Sequence, residues 1–285
     1  MIPDVLHRRV RVNGLSLHLA EAGPTKGAPV VLLHGFPEFW YGWRHQIPAL
    51  AQAGLRVLAP DGRGYNVSDR PKAVASYRME QLRGDILGLL NAFNIEKTAI
   101  AGHDWGAAVA WSMALHHPDR VRRLAILNVP HPAVWPNLLR SRPAQLMRSW
   151  YILFFQLPLL PEWVLGLRDG QSLVRSMRRT SAPGAFTKED LLRYRQAWRG
   201  GALTTMIHWY RAALRYPQRA PESRQVQVPV RILWGMKDAF LVPEGAELSM
   251  EYCPQGELIK LPHASHWIQH EASDLVNQRL IEFCR

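Results

Sequence analysis

The sequence has few of the features that mark secreted, metal-binding or membrane-spanning proteins. Its two cysteines, Cys253 and Cys284, form neither a C-x-x-C motif nor a metal-ligand spacing, which argues against a disulfide framework and a zinc site. No apolar run approaches the length that crosses a bilayer, and the first residues lack the apolar segment of a secretory signal. Repeats and low-complexity segments are also absent. We therefore expect a cytoplasmic enzyme without a membrane span.

Acidic residues are fewer than basic ones. The chain has 23 Asp and Glu against 35 Lys and Arg, which gives a net charge of +12. Such an excess suits a nucleic-acid or acidic-lipid partner, but no nucleic-acid motif accompanies it, and aromatic residues are not interleaved with the basic ones. We predict that the protein has no nucleic-acid partner and that the basic clusters lie on solvated helix faces. The positive charge would steer anionic substrates towards the protein. The clusters are Arg175, Arg178 and Arg179, and Arg193, Arg195 and Arg199.

The apolar pattern predicts an α/β fold. Residues 9–12 and 15–19 alternate in polarity on either side of Asn13-Gly14, which indicates an antiparallel hairpin with a type I′ turn. Short apolar runs then alternate with helical patterns, as in a mostly parallel central sheet flanked by helices. Further strands are expected at 29–33, 55–59, 98–101, 121–127, 228–234 and 257–261, and helices at 46–52, 79–93, 107–116 and 275–283.

The alternation stops between residues 131 and 217. This stretch carries helical patterns, many aromatic residues and several prolines, and we predict an inserted helical cap there. The core domain would then comprise residues 1–130 and 218–285. Because ligands bind beyond the carboxyl ends of parallel strands, a cap inserted after the strand at 121–127 would cover the binding site.

The segment Gly102-His103-Asp104-Trp105-Gly106 has the pattern of a nucleophile elbow, with a carboxylate where esterases carry serine. The elbow is a sharp turn from strand to helix, and its glycines avoid collisions that a Cβ would cause. Asp104 could instead simply cap the following helix, but a cap needs neither glycine. A carboxylate nucleophile can attack a saturated carbon and form an ester that water then cleaves. We predict this role for Asp104.

An ester on Asp104 needs a base that activates water, and the chain order of this scaffold is nucleophile, acid, histidine. Asp238 follows a predicted strand and is the expected acid, although it could merely form a turn. Of the histidines after the last strand, His263 is too close to the strand end and His270 falls within the next helix, so His266 is the predicted base. A metal bound by His263 and His266 would lack further ligands.

The loop after the strand at 29–33 is expected to contribute to the same site. Backbone N–H groups of Phe36 and Trp105 would stabilise the oxyanion formed when water attacks the ester. The loop is His34-Gly35-Phe36-Pro37, which could also be a plain turn. Aromatic residues expected near the site favour an apolar substrate. They are Phe36, Trp40, Trp105, Phe154, Phe155 and Trp267.

These motifs together resemble α/β-hydrolase-fold epoxide hydrolases of the soluble type. The matching segments are His34-Gly35-Phe36-Pro37-Glu38, Asp61-Gly62-Arg63-Gly64-Tyr65, Gly102 to Gly106, Leu127-Asn128-Val129-Pro130, Trp234 to Asp238 and His266-Trp267. The resemblance implies that a small apolar epoxide and water give a vicinal diol through an ester on the Asp, without metal or organic cofactor. It also implies that Tyr151 and Tyr210 hold and protonate the epoxide oxygen, although each could be cap core.

Departures and rival functions accompany this resemblance. Asn66 and Ser265 stand where relatives commonly carry Gly, which affects loop shape more than reaction type. Dehalogenases of this fold also use an Asp nucleophile, with a halide leaving group that Trp105 could hold, but they would be expected to place other residues at Phe36 or on the elbow helix. A non-enzymatic binding protein would be expected to lack part of the triad, and an esterase would need serine in the elbow. The chain could be a monomer or a homodimer.

Overall fold

One eight-stranded sheet forms the centre of the protein in the computed structural model, which describes residues 5–285. The strands are β1 (Leu6–Val12), β2 (Leu15–Ala22), β3 (Pro29–Leu33), β4 (Arg56–Pro60), β5 (Thr98–His103), β6 (Val121–Leu127), β7 (Val230–Gly235) and β8 (Gly256–Leu261). Their order is β1-β2-β4-β3-β5-β6-β7-β8. The pairs β1–β2 and β2–β4 are antiparallel, and all other pairs are parallel. The predicted mostly parallel sheet is confirmed.

The hairpin at the start of the sheet has the predicted turn. Val12 pairs with Leu15, and the two turn residues Asn13 and Gly14 have φ angles of 50° and 81°. Two successive positive φ angles define a type I′ turn, whose twist matches that of the strands it joins.

Thirteen α-helices connect or cover the strands of the described chain. Those of the sheet layers are α1 (Gln46–Gln52), α2 (Met79–Ala92), α3 (Trp105–His116), α11 (Glu244–Met250), α12 (Ile268–Glu271) and α13 (Ser273–Cys284). Those between β6 and β7, here called the cap, are α4 (Trp135–Ser141), α5 (Pro143–Arg148), α6 (Trp150–Phe154), α7 (Leu160–Gly166), α8 (Gln171–Thr180), α9 (Lys188–Ala197) and α10 (Ala202–Arg215). No helix within residues 5–285 is long and apolar enough to span a membrane.

Helices cover both faces of the sheet. Residues of α2 and α3 belong to one apolar cluster and residues of α1 and α13 to another, on opposite sides of the strands. All residues of β5 are buried, as expected for a parallel strand covered on both faces. This strand runs two residues beyond its predicted end because Gly102 and His103 pair with Ile126 and Leu127 of β6. The extension carries the chain directly to Asp104.

The cap is attached above the carboxyl ends of β3 and β4. The Trp198 indole donates to the carbonyl of Pro37 at 2.7 Å, and the Trp209 indole donates to that of Arg63 at 3.1 Å. The Thr205 hydroxyl reaches the carbonyl of Gly64 at 2.6 Å. The domain boundaries predicted at 130/131 and 217/218 fall in the connections that precede α4 and follow α10.

Candidate active site

Asp104 occupies the sharp turn between β5 and α3. Its φ of 50° lies in a region that non-glycine residues rarely adopt. A Cβ on Gly102 would lie 2.5 Å from the carbonyl oxygen of Gly106, and one on Gly106 would lie 2.0 Å from that of Leu33. Both distances are far below contact separation, so only glycine fits at these two positions. The elbow therefore has the geometry that the sequence pattern predicts.

The two carboxylate oxygens of Asp104 have different surroundings. Oδ1 accepts a hydrogen bond of 2.7 Å from the backbone N–H of Phe36, whereas Oδ2 lies 3.7 Å from Nε2 of His266. Gly35 permits this close approach, since a Cβ there would be 2.3 Å from Cβ of Asp104. The Trp105 N–H is the first of α3 and has no acceptor within the helix. One oxygen is thus held by the Phe36 N–H, and the other is directed towards His266.

His266 and Asp238 come from loops that follow adjacent strands. Nδ1 of His266 lies 2.7 Å from Oδ2 of Asp238, which also accepts from the Asn128 amide at 2.6 Å. Oδ1 of Asp238 accepts from the backbone N–H groups of Phe240 and Leu241 at 2.7 and 2.9 Å. With both oxygens occupied by donors, the Asp238 carboxylate is fixed in position and orients the imidazole.

The three groups shift one another's pKa values. Burial lowers the pKa of His266, but the carboxylates of Asp238 and Asp104 outweigh burial and raise it from 6.5 to about 10. Burial raises the pKa of both carboxyl groups, yet the charge of His266 brings each below its ordinary value of 3.8. Hydrogen bonds from Asn128 and Phe240 add to this effect at Asp238. The resting site therefore holds an imidazolium between two carboxylates.

Two cavities meet at Asp104. The larger has a volume of about 850 Å³ and the smaller about 320 Å³, and both are mostly apolar. Asp104, Tyr151, Tyr210 and Phe240 line both of them. Phe36, Pro37, Phe154, Phe155 and Trp267 line the larger cavity and Trp105 the smaller one. The predicted nucleophile thus stands at the junction of two apolar spaces under the cap.

Tyr151 on α6 and Tyr210 on α10 face each other above this junction. Their ring centroids are 5.9 Å apart at an interplanar angle of 79°, and Tyr210 packs edge-on against Trp105 and Phe36 at 5.0 and 5.4 Å. Burial, and then the charge of Asp104, raises the pKa of each phenol. Both hydroxyls are therefore protonated at neutral pH and can act as hydrogen-bond donors.

Comparison with known proteins gives the family of the chain. Residues 28–273 match the family described as alpha/beta hydrolase fold. The chain belongs to this family. Within it, the chain is 47% identical to AB hydrolase superfamily protein YfhM of Bacillus subtilis (strain 168), over 97% of this chain and 96% of that protein. It is 35% identical to Epoxide hydrolase 2 of Caenorhabditis elegans, over 97% of this chain and 79% of that protein.

A solved structure gives the same relationship. The crystal structure of Bacillus megaterium epoxide hydrolase in complex with an inhibitor superimposes with a TM-score of 0.90 at 30% identity, over 97% of this chain and 99% of that one. The α/β-hydrolase fold predicted from the sequence is confirmed, and so is the resemblance to epoxide hydrolases.

Four of the predicted site residues of this α/β-hydrolase line neither cavity: His34, Gly35, Trp40 and Asp238. Gly35 and Asp238 contact Asp104 and His266, whereas Trp40 and His34 lie elsewhere. Trp40 begins a short 3-10 helix (Trp40–Trp43), and its ring packs against that of His7, with the ring centroids 4.6 Å apart. His34 is buried, with Nδ1 3.1 Å from the carbonyl oxygen of Gly35 and Nε2 accepting the Gly62 N–H at 3.1 Å. These positions give no support to a substrate contact of Trp40 or His34, and that role stays a prediction. Their neighbours in sequence do reach the site, but their own side chains point elsewhere.

Sequence reasoning missed several residues that support the site. Asn128 adopts a positive φ of 50° after β6 and bridges Asp238 to the Gly235 N–H at 2.9 Å. Phe240 lies 5.0 Å from the His266 ring. His103, beside the nucleophile, has Nε2 2.8 Å from the carbonyl oxygen of His266. A polar residue at the end of a buried strand was the available signal for Asn128, whereas nothing local in the sequence indicated the other two.

Glu38 is the centre of a buried polar network behind the elbow. It accepts hydrogen bonds from the Tyr194 hydroxyl, His270 Nε2 and the Gln269 amide at 2.6, 2.7 and 2.9 Å. Burial lowers the pKa of His270 to about 4, so this ring is neutral and donates from Nε2. The network joins the cap, through α9, to the segment that carries the predicted base.

Replacement of Glu38 by alanine is expected to destabilise the fold. It would leave three buried donors without acceptors, and each unsatisfied group costs about 1 to 3 kcal/mol. We expect the free energy of unfolding in urea to fall by roughly 3 kcal/mol or more. Glu38→Gln keeps an acceptor oxygen and should lose less, while the exposed Glu189→Ala serves as a neutral control. Equal stability of Glu38→Ala and the unmutated protein would contradict the importance of the network.

Residues 5–285 contain no group of three or more His, Cys, Asp or Glu side chains placed to hold a metal ion. Cys253 and Cys284 are both buried free thiols.

Proposed function

We propose that the protein hydrolyses an apolar epoxide to a vicinal diol through a covalent ester on Asp104. The observation that carries the proposal is the position of one carboxylate at the junction of two apolar cavities, with two phenol donors lining that junction and a His–Asp pair beside it. The epoxide hydrolases among its relatives support the same reaction class.

The first step is ring opening. Oδ2 of Asp104 attacks one epoxide carbon and forms a C–O bond, while the bond from that carbon to the ring oxygen breaks. Tyr151 and Tyr210 hold the ring oxygen by hydrogen bonds, and one of them gives its proton to the alkoxide. The mostly apolar lining of the cavities strengthens these interactions because a low local dielectric constant screens them little.

The second step is hydrolysis of the ester. Ester formation removes the charge of Asp104, so His266 loses one of the two carboxylates that raise its pKa. Its proton then passes to the tyrosinate and restores the phenol. Neutral His266, held by Asp238, takes a proton from water, and the hydroxide attacks the ester carbonyl. The backbone N–H groups of Phe36 and Trp105 stabilise the oxyanion. Its collapse breaks the bond to the diol oxygen, which takes the remaining proton of the attacking water. The diol then leaves, and the Asp104 carboxylate and the His266 imidazolium are restored.

The two steps are expected to depend differently on pH. Ester formation requires ionised Asp104, whose pKa lies below 3.8, so its rate should stay constant from pH 5 to 9. Ester hydrolysis requires neutral His266, and its pKa in the ester falls below the value of about 10 in the free enzyme. The hydrolysis rate should therefore rise with pH, with a midpoint below 10. Single-turnover tryptophan fluorescence can follow both steps. If the rates of both steps fell with the same midpoint as the pH is lowered, this scheme would be contradicted.

Oxygen labelling tests the proposed ester. In a single turnover with excess enzyme in H₂¹⁸O, the first diol should carry unlabelled oxygen from Asp104, because water attacks the ester carbonyl and not the epoxide carbon. Label should enter the enzyme and appear in diol only in later turnovers. Labelled diol in the first turnover would show direct attack of water on the epoxide.

Substrate choice is tested in parallel with a small aryl epoxide and a bromoalkane, each with Asp104→Ala as control. Diol formed only by the unmutated protein supports epoxide hydrolysis at this elbow. Halide release without diol would make the protein a dehalogenase and leave Tyr151 and Tyr210 with a packing role.

A further inference from the structure

The cap carries most of the exposed large hydrophobic side chains in the described chain. Nine of the 14 such residues lie between positions 146 and 167, on α5, α6, α7 and their connections. We call the six most exposed of them the cap apolar face: Leu146, Met147, Trp150, Leu153, Leu159 and Trp163. Soluble proteins rarely concentrate apolar surface in this way unless the patch binds something.

Leu159 is the clearest case. It lies between α6 and α7, is 80% exposed, and has a φ of 61°. A leucine in this conformation is strained, and an asparagine or glycine would adopt it at lower cost. Leu159 therefore exposes apolar surface to water and also adopts an unfavourable backbone conformation. Because neither stabilises the fold, the side chain is expected to serve in binding.

Arginines flank this face. Residues 131–180 contain seven arginines and only two acids, Glu162 and Asp169, which pair with Arg211 and Arg199. A surface depression on α8 is lined only by serines and by Arg175, Arg178 and Arg179, none of which forms an ion pair with any residue from 5 to 285. The cap thus combines exposed apolar side chains with unneutralised positive charge.

Both sets of side chains meet at the larger cavity. Met147 and Trp150 of the cap apolar face line it, and so does Arg179 of the α8 depression. The lining of the cavity that leads to Asp104 therefore includes both side chains of the apolar face and arginines.

We propose that the cap apolar face docks onto the anionic surface of a phospholipid bilayer. Exposed leucine, methionine and tryptophan side chains insert at the boundary of headgroups and acyl chains, where tryptophan is favoured, and arginines bind anionic headgroups. A second copy of the chain fits less well, because a twofold contact through this face would oppose the arginines of one protomer to those of the other. Docking would let an apolar substrate pass from the lipid into the larger cavity.

Vesicle co-sedimentation of the purified full chain tests this proposal. The unmutated protein should bind vesicles of phosphatidylcholine with about 30% phosphatidylglycerol more tightly than vesicles of phosphatidylcholine alone. The variant Leu153→Ser/Leu159→Asn/Trp163→Ser should lower the partition coefficient by on the order of 100-fold. All three positions are exposed and outside the cavity linings, and Asn relieves the strain at 159. The matched control is Leu6→Ser/Val67→Ser, which removes exposed apolar groups from the core domain.

A second variant tests the charge. Arg175→Gln/Arg178→Gln should lower binding to the anionic vesicles roughly 20-fold and leave binding to neutral vesicles unchanged. Equal binding of the unmutated protein to both vesicles, or no binding, would overturn the proposal. So would a dimer in sedimentation velocity that the triple variant converts to monomer, since the occupant of the face would then be a second copy. No substrate is present in these measurements, so their outcome is independent of the proposed hydrolysis.

Discussion

Replacement of His266 by glutamine is expected to stop the reaction after one equivalent of epoxide has been consumed. Asp104 would still attack the substrate, but no base would activate water, so the ester would accumulate. Loss of a general base lowers rates by about 10² to 10⁴, and we expect turnover to fall by roughly a thousandfold. Intact-protein mass spectrometry should show a gain equal to the mass of the epoxide, and peptide mapping should place it on Asp104.

His263→Gln is the matched control for this variant. His263 lies only three positions away but is exposed on the surface. The His263→Gln variant should therefore turn over at the normal rate and accumulate no adduct. Asp104→Ala should form no adduct at all. Normal turnover by His266→Gln, or consumption of epoxide without a mass gain, would remove His266 from the second step. Asp238 keeps its donors from Asn128, Phe240 and Leu241 in the variant, so the loop is expected to remain folded.

Removal of both phenol hydroxyls is expected to block ring opening. In Tyr151→Phe/Tyr210→Phe the epoxide oxygen would leave as an alkoxide without a phenol donor, in a mostly apolar cavity. A positioned proton donor contributes about 10² to 10⁴ to the rate, so we expect ester formation in single-turnover experiments to slow by roughly a thousandfold or more. Each single variant should lose less, because the remaining phenol still donates. The phenyl rings preserve packing with Phe36 and Trp105.

Two comparisons make this prediction specific. Tyr216→Phe alters a half-buried tyrosine that stacks on Arg78, 4.3 Å from its ring centroid, and should leave the rate unchanged. Hydrolysis of an ester already formed should also be unaffected in the double variant, since that step uses His266. A double variant that opens epoxides at the normal rate would assign Tyr151 and Tyr210 to packing alone.

The strands and helices of the core could be predicted closely from local pattern. Helix α1 and strands β3 and β6 have the predicted bounds, and the other elements named in advance differ by one to three residues. Apolar periodicity, Asn13-Gly14 and the elbow glycines each act within a few residues, so a local pattern is sufficient to detect them. Within the cap, the sequence predicted helices but not their individual bounds, because short helices with frequent prolines carry little periodic signal.

The surroundings of individual site residues depend on more than local pattern. Asp104, Asp238 and His266 lie together in the structure, and their chain positions at strand ends had placed them on the same edge of the sheet. Trp40 lies close to Phe36 in sequence, yet its ring packs against His7 and lines neither cavity. Glu38 was noted only as part of a motif, because its partners Tyr194, Gln269 and His270 are more than 150 positions away along the chain.

The sequence by itself determined the fold class, the elbow and the order of nucleophile, acid and base, because each depends on backbone geometry that a few neighbouring residues impose. Only the tertiary structure decided which side chains face the cavities, that two cavities meet at Asp104, and which apolar side chains of the cap stay exposed. These features arise from contacts between segments far apart in the chain. No local pattern encodes the direction in which a side chain points once α4–α10 are folded over the sheet.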